Sequence, residues 1–448
     1  MFRRFCVVAI VVLSSPICGS GAWAQRSNAP VAMMQAAGGR RSGGNQILDP
    51  LPRHCPENVI VKFSGDVVEE DRDSILGRYG CFVLQTCEPG MFHRVGIPPG
   101  EMPERVVWLL EMEDVVEYAE LNLYASLYFV PDDPFYAPYQ WNLQNEVSGG
   151  INMEAAWDIE MGDPNVIVAV LDTGVAYEDH GRFRQAPDLA QTSFVAGYDF
   201  VNDDAHPNDD QGHGTHVTGT IAQSTENARG VAGIAFGCSI MPIKVLDNQG
   251  VGDSFNIARG VYHAAENGAH VINMSFGSPD RSRAVEQALA FAYGRGVTIV
   301  CSAGNGFADG NLPSYPAVHN DYCIAVGAVR YDDTRAYYSS TGPHLDVVAP
   351  GGDLRVDQNR DGYPDGIIQQ TFTVDPSTFN YYFFQGTSSA APHVSGIAAL
   401  LVSQGVTDPD AVRAAIEGTA RDVGPLGWDP EYGWGVVDAY AALLYWMP

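Results

Sequence analysis

Short, mostly apolar runs recur through the C-terminal two-thirds of the chain: Val166 to Leu171, Ile240 to Leu246, His270 to Met274, Val297 to Cys301 and Cys323 to Val329. Runs without strict alternation are those of strands covered on both faces. Between them lie stretches with helical spacing, His213 to Ala222, Asn256 to Asn267 and Ala284 to Gly294, and a further apolar helix is expected over Ile397 to Val402. Strands alternating with helices predict an α/β fold with a doubly wound parallel sheet. In such a sheet, chemistry belongs at the C-terminal ends of the strands.

The pattern before Trp141 is different. Asn58 to Phe63 reads as a strand and Val67 to Tyr79 as a helix. Cys81 to Gln85 and Phe92 to Ile97 read as strands, Pro103 to Glu111 as a helix and Val115 to Ala119 as a last strand. This β-α-β-β-α-β order is that of a small α+β, ferredoxin-like split βαβ sandwich. A linker rich in Pro, Asp and Tyr follows, Tyr128 to Pro138.

The first residues read as a secretory signal. Arg3 and Arg4 precede a short apolar run, Cys6 to Leu13, and Ala22-Trp23-Ala24 supplies a small-x-small cleavage pattern. The run is too short to span a bilayer, and no later segment has 18 consecutive apolar residues, so no membrane partner is expected. The expected organisation is a signal at 1–24, a flexible Gly/Ala/Ser-rich leader at 25–54, the small α+β domain at 55–128 and the α/β domain at 129–448.

Charge and cysteine content narrow the possibilities. Of 448 residues, 54 are acidic and 25 basic, a net charge of −29. That excess argues against nucleic acid as a partner and fits a self-repelling or cation-binding surface. Cys55, Cys81 and Cys87 fall in the small domain and Cys238, Cys301 and Cys323 in the large one. Each set is odd, so this is no disulfide scaffold, and pairing of Cys301 with Cys323 stays open. No paired Cys or His spacing points to zinc.

Three polar residues stand at expected strand ends or helix starts. Asp172 follows Val168-Ala169-Val170-Leu171, His213 heads the helix opening Gly212-His213-Gly214-Thr215-His216, and Ser388 follows the glycine turn of Gly386-Thr387-Ser388. Taken singly, each also reads as structural: a capping aspartate, a satisfied histidine, an N-cap serine. A serine in a tight bend beside free helix N–H groups is also where a nucleophile meets an oxyanion.

Val170-Leu171-Asp172-Thr173-Gly174-Val175, Gly212-His213-Gly214-Thr215-His216-Val217 and Gly386-Thr387-Ser388-Ser389-Ala390-Ala391-Pro392-His393-Val394 resemble the three active-site blocks of the subtilisin-like serine proteases, in the order Asp, His, Ser. The resemblance runs from about Asp133 to Tyr440 and is strongest to the thermitase-like branch. It implies a secreted serine endopeptidase acting on protein or peptide substrates. Ser388 would be nucleophile, His213 general base and acid, and Asp172 its orienting carboxylate. Asn305, in Gly304-Asn305-Gly306, matches the family's oxyanion-hole asparagine. Gly250, Gly252, Ser275, Phe276 and Gly277 match the edge strands that pair with an extended peptide. Ser275 to Gly277, Ser302 to Gly304, including Ala303, and Ser314 to Ala317 would wall the S1 pocket. No carboxylate is expected in that pocket, which predicts an apolar, aromatic or broad P1 preference. Residues 55–125 resemble the family's inhibitory propeptide, a partner within the same chain, with Tyr118 to Tyr124 as its tail and self-cleavage between Leu123 and Pro131.

Calcium is the expected cofactor. Asp357, Asn359, Asp361 and Asp365 place oxygen side chains at positions 1, 3, 5 and 9 of a loop, Gly362 falls at position 6, and Tyr363 can offer its carbonyl. Position 12 is Ile368, so the EF-hand glutamate is missing. Asp199, Asn202, Asp204 and Asn208 resemble a thermitase-like calcium loop, and Asp133 with Asn227 suggests a third site. Two other readings compete with a protease. An inactive relative would have lost a triad member, and none is lost. An esterase would carry G-x-S-x-G, which does not occur.

Overall fold

The computed structural model describes residues 12–13, 54–65, 67–124, 129–145 and 147–447. The chain divides into two compact units, Trp23–Leu127 and Tyr128–Pro448, the latter counted together with Met1–Ala22. Except for Val12–Leu13, which pairs antiparallel with a later strand, the expected signal and leader lie outside the described residues.

In the smaller unit the strands are β1 (His54–Phe63), β2 (Phe82–Cys87), β3 (Phe92–Gly96) and β4 (Val116–Leu123). The helices are α1 (Glu69–Arg78) and α2 (Pro103–Glu111). The sheet runs β2-β3-β1-β4 with every neighbour antiparallel, the split βαβ arrangement. Strand alternation explains why one face forms a core: Val59, Val61, Val95 and Ala119 turn inward against Leu76, Val106 and Leu110 of the helices. Pro103 stands at the start of α2, where its missing N–H is harmless.

The larger unit is built on parallel strands. In chain order they are β5 (Ile167–Asp172), the two-residue β6 (Ser193–Phe194) and β7 (Tyr198–Asp199), β8 (Ser239–Lys244), β9 (Val271–Met274), β10 (Thr298–Ser302), β11 (Cys323–Val329) and β12 (Val347–Pro350). Their order is β12-β11-β10-β9-β5-β8-β6, with β7 also on β8. Every pairing in it is parallel, and β8 to β12 are buried along their whole length, which is why their sequences do not alternate. An antiparallel hairpin, β13 (Ile367–Thr371) and β14 (Asn380–Phe384), stands apart from this sheet.

Helices cover both faces, after two short ones, α3 (Tyr136–Tyr139) and α4 (Met153–Trp157), that precede β5. One core joins α5 (His213–Ala222), α8 (Thr387–Ser403), α9 (Pro409–Gly418) and α10 (Ala439–Leu444) through Val217, Ile221, Val394, Ile397, Ile416 and Leu443. The other packs α6 (Ser254–Glu266) and α7 (Arg283–Tyr293) through Val261, Ala264, Val285 and Leu289. Asp253 and Ser282 cap α6 and α7 with side-chain oxygens, so both helices begin earlier than their apolar spacing suggests.

The expected Ile397-to-Val402 helix is the C-terminal part of α8. Ser388 lies inside this helix, and Gly386 is its N-cap with no side-chain bond. The N-cap reading of Ser388 is therefore incorrect.

Candidate active site

Asp172 closes β5 and is wholly buried. Its Oδ1 accepts the Thr173 N–H at 2.7 Å and the His213 Nδ1–H at 2.8 Å. That bond fixes the His213 tautomer and leaves Nε2 for other work. Gly214 explains the closeness of the two loops. A Cβ there would lie 2.1 Å from the Gly174 carbonyl and 3.1 Å from the Asp172 Cβ. Burial lowers the affinity of His213 for a proton, but the charge of Asp172, the bond to it and the charge of Asp209 outweigh burial. The imidazole therefore titrates above its ordinary 6.5.

Two residues that the sequence reading passed over hold this pair. Asp209 is fully buried and accepts from Thr173 Oγ1, the N–H groups of Gln211 and Gly212, and both the N–H and Oγ1 of Thr215. It binds the loop after β5 to the first turn of α5. Lys244, at the end of β8, is also buried. Its Nζ donates to the Thr173 and Leu246 carbonyls and to Asp210 Oδ1 at 2.7 Å. The near-neighbour motif Asp209-Asp210-Gln211 was the available signal, since three polar residues lead straight into the His213 block.

The motif's other two histidines are structural. His216 donates towards the Ile367 and Tyr382 carbonyls and stacks on Phe384 at 4.1 Å. His393 bonds the Ser389 carbonyl and Asn142. Burial pushes their pKa values down to about 3 and about 4, so both are neutral.

Ser388 lies in the first turn of α8. The Thr387 N–H is taken by Asn305 Oδ1 at 2.9 Å, and the Ser389 and Ala390 N–H groups go to the Gly386 carbonyl. The Ser388 N–H has no partner among the described residues. Thr387 Oγ1 also donates to Asn305 Oδ1, which orients the amide so that Nδ2 faces the serine. Gly386 must be glycine for two reasons: its φ is +151°, and a Cβ would lie 2.9 Å from Ser388 Oγ and 3.3 Å from Asn305 Nδ2. Ser388 and His213 line the same cleft without a hydrogen bond between them. Bonds of this kind tighten when substrate docks.

The cleft measures about 610 Å³. Besides His213, Asn305 and Ser388 it is lined by Gly250, Ser275, Phe276, Gly277, Ser302 and Gly304. A neighbouring cavity of about 330 Å³ takes in Gly250, Gly252, Phe276 and Tyr315. Ser275 is tied to α8 through Asn273, whose amide donates to Ser275 Oγ while Ser395 Oγ donates to its oxygen. Two expectations are corrected. Ala303 lines neither space: it follows β10, where the alternating direction of side chains sends it into the core with Val329, Leu345 and Val348. The short helical turn Phe307–Asp309 brings the exposed Asp309 to the wider cleft, outside the residues expected to wall S1. A second correction concerns Ala317. Ala317 is likewise buried in the core. Cys301 and Cys323 are free, buried thiols, and the strand register opposes Cys323 to Ile299.

Each calcium candidate presents a buried oxygen with no partner among the described residues. In the 357–365 loop, Asn359 donates to Asp361, the Gly362 N–H to Asp357 and the Tyr363 N–H to Asp361. Asp365 Oδ1 is buried with no partner, and burial with the charges of Asp357 and Asp361 pushes its carboxyl up to about 6. An orphaned carboxylate oxygen among other oxygens fits a hard cation. In the second loop Asp199 accepts from Asn202, and Asp204 from the His206 N–H. Asn208 Oδ1 is buried and unpartnered, which also fits. The third site gains Asp188, missed in the sequence. Asn227 donates to Asp188 at 2.9 Å, Asp133 accepts the Glu226 N–H, and Asp133 Oδ1 and Asn227 Oδ1 are both buried without partners.

Residues 163–435 match the model of the subtilase family, Peptidase_S8. The chain belongs to the subtilase family. A thermophilic serine proteinase of Bacillus sp. (strain AK1) is 35% identical over 387 residues, covering 86% of this chain and 87% of that protein. Thermitase of Thermoactinomyces vulgaris is 36% identical over 317 residues, covering 71% of this chain and all of the relative. Among solved structures, a protease of Pseudoalteromonas arctica superposes with a TM-score of 0.60 at 31% identity, covering 71% of this chain and 99% of that one. Fervidolysin of Fervidobacterium pennivorans, a keratinolytic enzyme related to subtilisin, gives 0.56 at 26% identity over 88% of this chain and 62% of its own. This subtilase is a thermitase-like serine-type endopeptidase with the subtilisin-like fold. No helix among the described residues is long and apolar enough to cross a membrane.

Proposed function

We propose that this subtilase is made as a secreted zymogen and matures by its own proteolysis. The processed enzyme cleaves peptide bonds through an acyl-enzyme on Ser388. His213 Nε2 takes the Ser388 proton and returns it to the leaving amine, while Asp172 stabilises the imidazolium. Asn305 Nδ2 and the Ser388 N–H hold the oxyanion. The observation that carries this reading is the 2.8 Å Asp172–His213 bond, in a cleft where Gly386 lets Asn305 Nδ2 and Ser388 Oγ face one another.

An extended substrate pairs with the segments at Gly250 to Gly252 and Ser275 to Gly277. Ser314 fills the space between Gly277 and Gly304: a Cβ on Gly277 would lie 2.1 Å from its Oγ. This hydroxyl, with no carboxylate among the residues expected to wall S1, supports a P1 preference that is apolar, aromatic or broad. Calcium, held by Asp357, Asn359, Asp361, Tyr363 and Asp365 and by Asp199, Asn202, Asp204 and Asn208, would neutralise clustered carboxylates. Here its task is to fix loops. Residues 55–128 act as the intramolecular inhibitor.

A serine-reactive fluorophosphonate probe tests the nucleophile. Labelling of the processed enzyme that is lost on Ser388→Ala is expected. Equal labelling of both proteins would reject the assignment. Casein digestion with and without chelator on the same sample reads the calcium dependence.

A further inference from the structure

Glu178, His180 and His206 form a cluster that the proteolytic reading does not use. They are brought together by the two loops that carry the catalytic pair: Glu178 and His180 follow Asp172 closely, and His206 shortly precedes His213. Among the described residues, this is the one group of three His, Cys, Asp or Glu side chains whose ligand atoms all lie within 4.8 Å of one another. The carboxylates of the 357–365 loop do not close to that distance.

Several bonds hold the cluster in place. The Val175 N–H donates to the Pro207 carbonyl and the Asp209 N–H to the Val175 carbonyl, pinning loop to loop. His180 and Phe183 exchange backbone hydrogen bonds, which turns the chain at His180. The His180 and His206 rings stack at 3.8 Å and 16°. Glu178 Oε1 lies 2.8 Å from His206 Nδ1 and accepts from Asn208 Nδ2 at 2.9 Å. The side chains of His206 and Glu178 are 43% and 29% exposed, so an ion can reach them from solvent.

We propose that Glu178, His180 and His206 form a binding site for a borderline divalent transition ion of the zinc class. The donor chemistry makes the choice. Calcium and magnesium take oxygen, whereas two imidazoles with one carboxylate suit zinc, cobalt or nickel. A tetrahedral zinc centre needs nitrogen and oxygen at about 2.0–2.2 Å, so binding requires the exposed His180 and His206 rings to leave their 3.8 Å stack until their in-plane lone pairs converge. Three protein ligands leave a position for water. The site adjoins the oxygen loop of Asp199, Asn202, Asp204 and Asn208, since Asn208 Nδ2 donates to Glu178 and the His206 N–H to Asp204, but it shares no metal ligand with that loop. An ion here ties the loop after Asp172 to the loop before His213 and so stabilises the folded catalytic unit.

The test uses the full chain with Ser388→Ala and no histidine tag, in saturating calcium so that oxygen sites are filled. Zinc chloride is titrated calorimetrically, and cobalt chloride is followed by its visible ligand-field bands. The expected result is one saturable zinc equivalent, a cobalt spectrum of low coordination number and a rise in Tm with zinc. His180→Ala and His206→Ala should each weaken zinc binding by more than about tenfold and abolish the cobalt bands. Glu178→Gln, which keeps the shape and the Asn208 contact surface, should weaken zinc while leaving the metal-free Tm at the parent value. Absence of saturable binding overturns the proposal. Unchanged affinity in both histidine variants also overturns it, because the ion would then sit elsewhere, as on His213.

Discussion

At the scale of single residues, Asp172 sets the state of the catalytic base. It is buried, and its side-chain partner among the described residues is the imidazole it orients. Asp172→Asn keeps the shape but offers an amide to His213 Nδ1, which selects the wrong tautomer. A loss of about 10⁴ in kcat is expected. The pH profile gives a second reading. The base must be neutral, so kcat/KM rises as His213 loses its proton, and the acid limb should have its midpoint above 6.5. Asp172→Asn removes the charge that holds the proton, so the residual activity should have its limb at lower pH. A profile that does not move would sink the assignment. Asn305→Ala should lower kcat by about 10²–10³ with little change in KM, the cost established for subtilisin's own asparagine. Thr387, which loses its acceptor on Asn305, must be watched as a source of local loosening. These residues were legible because each sits in a contiguous block whose glycines permit close approach. Lys244 was not, because it works by burial against Thr173 and Asp210, far away in sequence, and Asp209 showed only as a polar run before the His213 block whose link to Thr173 no local pattern encodes.

At the scale of elements, the 357–365 loop runs directly into β13, and β13 pairs with β14, which leads through Gln385 to Gly386 and the first turn of α8. Gln385 also accepts the Leu354 N–H, and the Gly386 N–H donates to the Gly351 carbonyl. A cation in this loop therefore supports the segment that presents Ser388. At a hundredfold excess over Kd, one such site stabilises the fold by about 2.7 kcal/mol. Chelation should lower Tm accordingly, and Asp361→Ala should remove that loop's share of the shift while other sites retain theirs. A differential scanning measurement with and without calcium reads this, and an identical shift in the variant would reject the loop. The metal-free protein carries a further signature. Asp365 is raised to about 6 in the fold, so the native state binds more protons than the unfolded one between its ordinary value near 4 and about 6. Stability of the chelated protein should fall as pH rises through that window, and calcium should flatten the fall. The core strands were legible in the sequence because burial on both faces leaves no alternation to confuse them. The start of α8 was not. Thr387, Ser388, Ser389, Gly396 and an internal Pro392 are poor helix formers, and the helix exists because its whole circumference is buried.

At the scale of the molecule, the question is what the smaller unit is for. Its order of elements was readable from alternation alone, and the structure has that order with a core of its own around Val59, Val61, Leu76, Val95 and Leu110. A segment with its own core folds as a unit rather than trailing as a leader. Its last strand, β4, ends at Leu123, and Leu123 and the following Tyr124 are both exposed, a few residues before the larger unit begins. An exposed extended segment is the form in which a protease cleft takes a peptide. If the enzyme cuts its own chain there, Ser388→Ala should accumulate at the full secreted size, and small amounts of active enzyme added to it should release the same mature N-terminus, between Leu123 and Pro131, by mass spectrometry. Dilution separates the two routes in the unmutated protein. Cleavage within one chain is first order, so its half-time does not change with concentration, whereas cleavage between molecules slows in proportion to dilution. A half-time that lengthens tenfold on tenfold dilution would rule out cleavage within one chain, and normal processing of Ser388→Ala in a protease-free preparation would rule out self-maturation by either route.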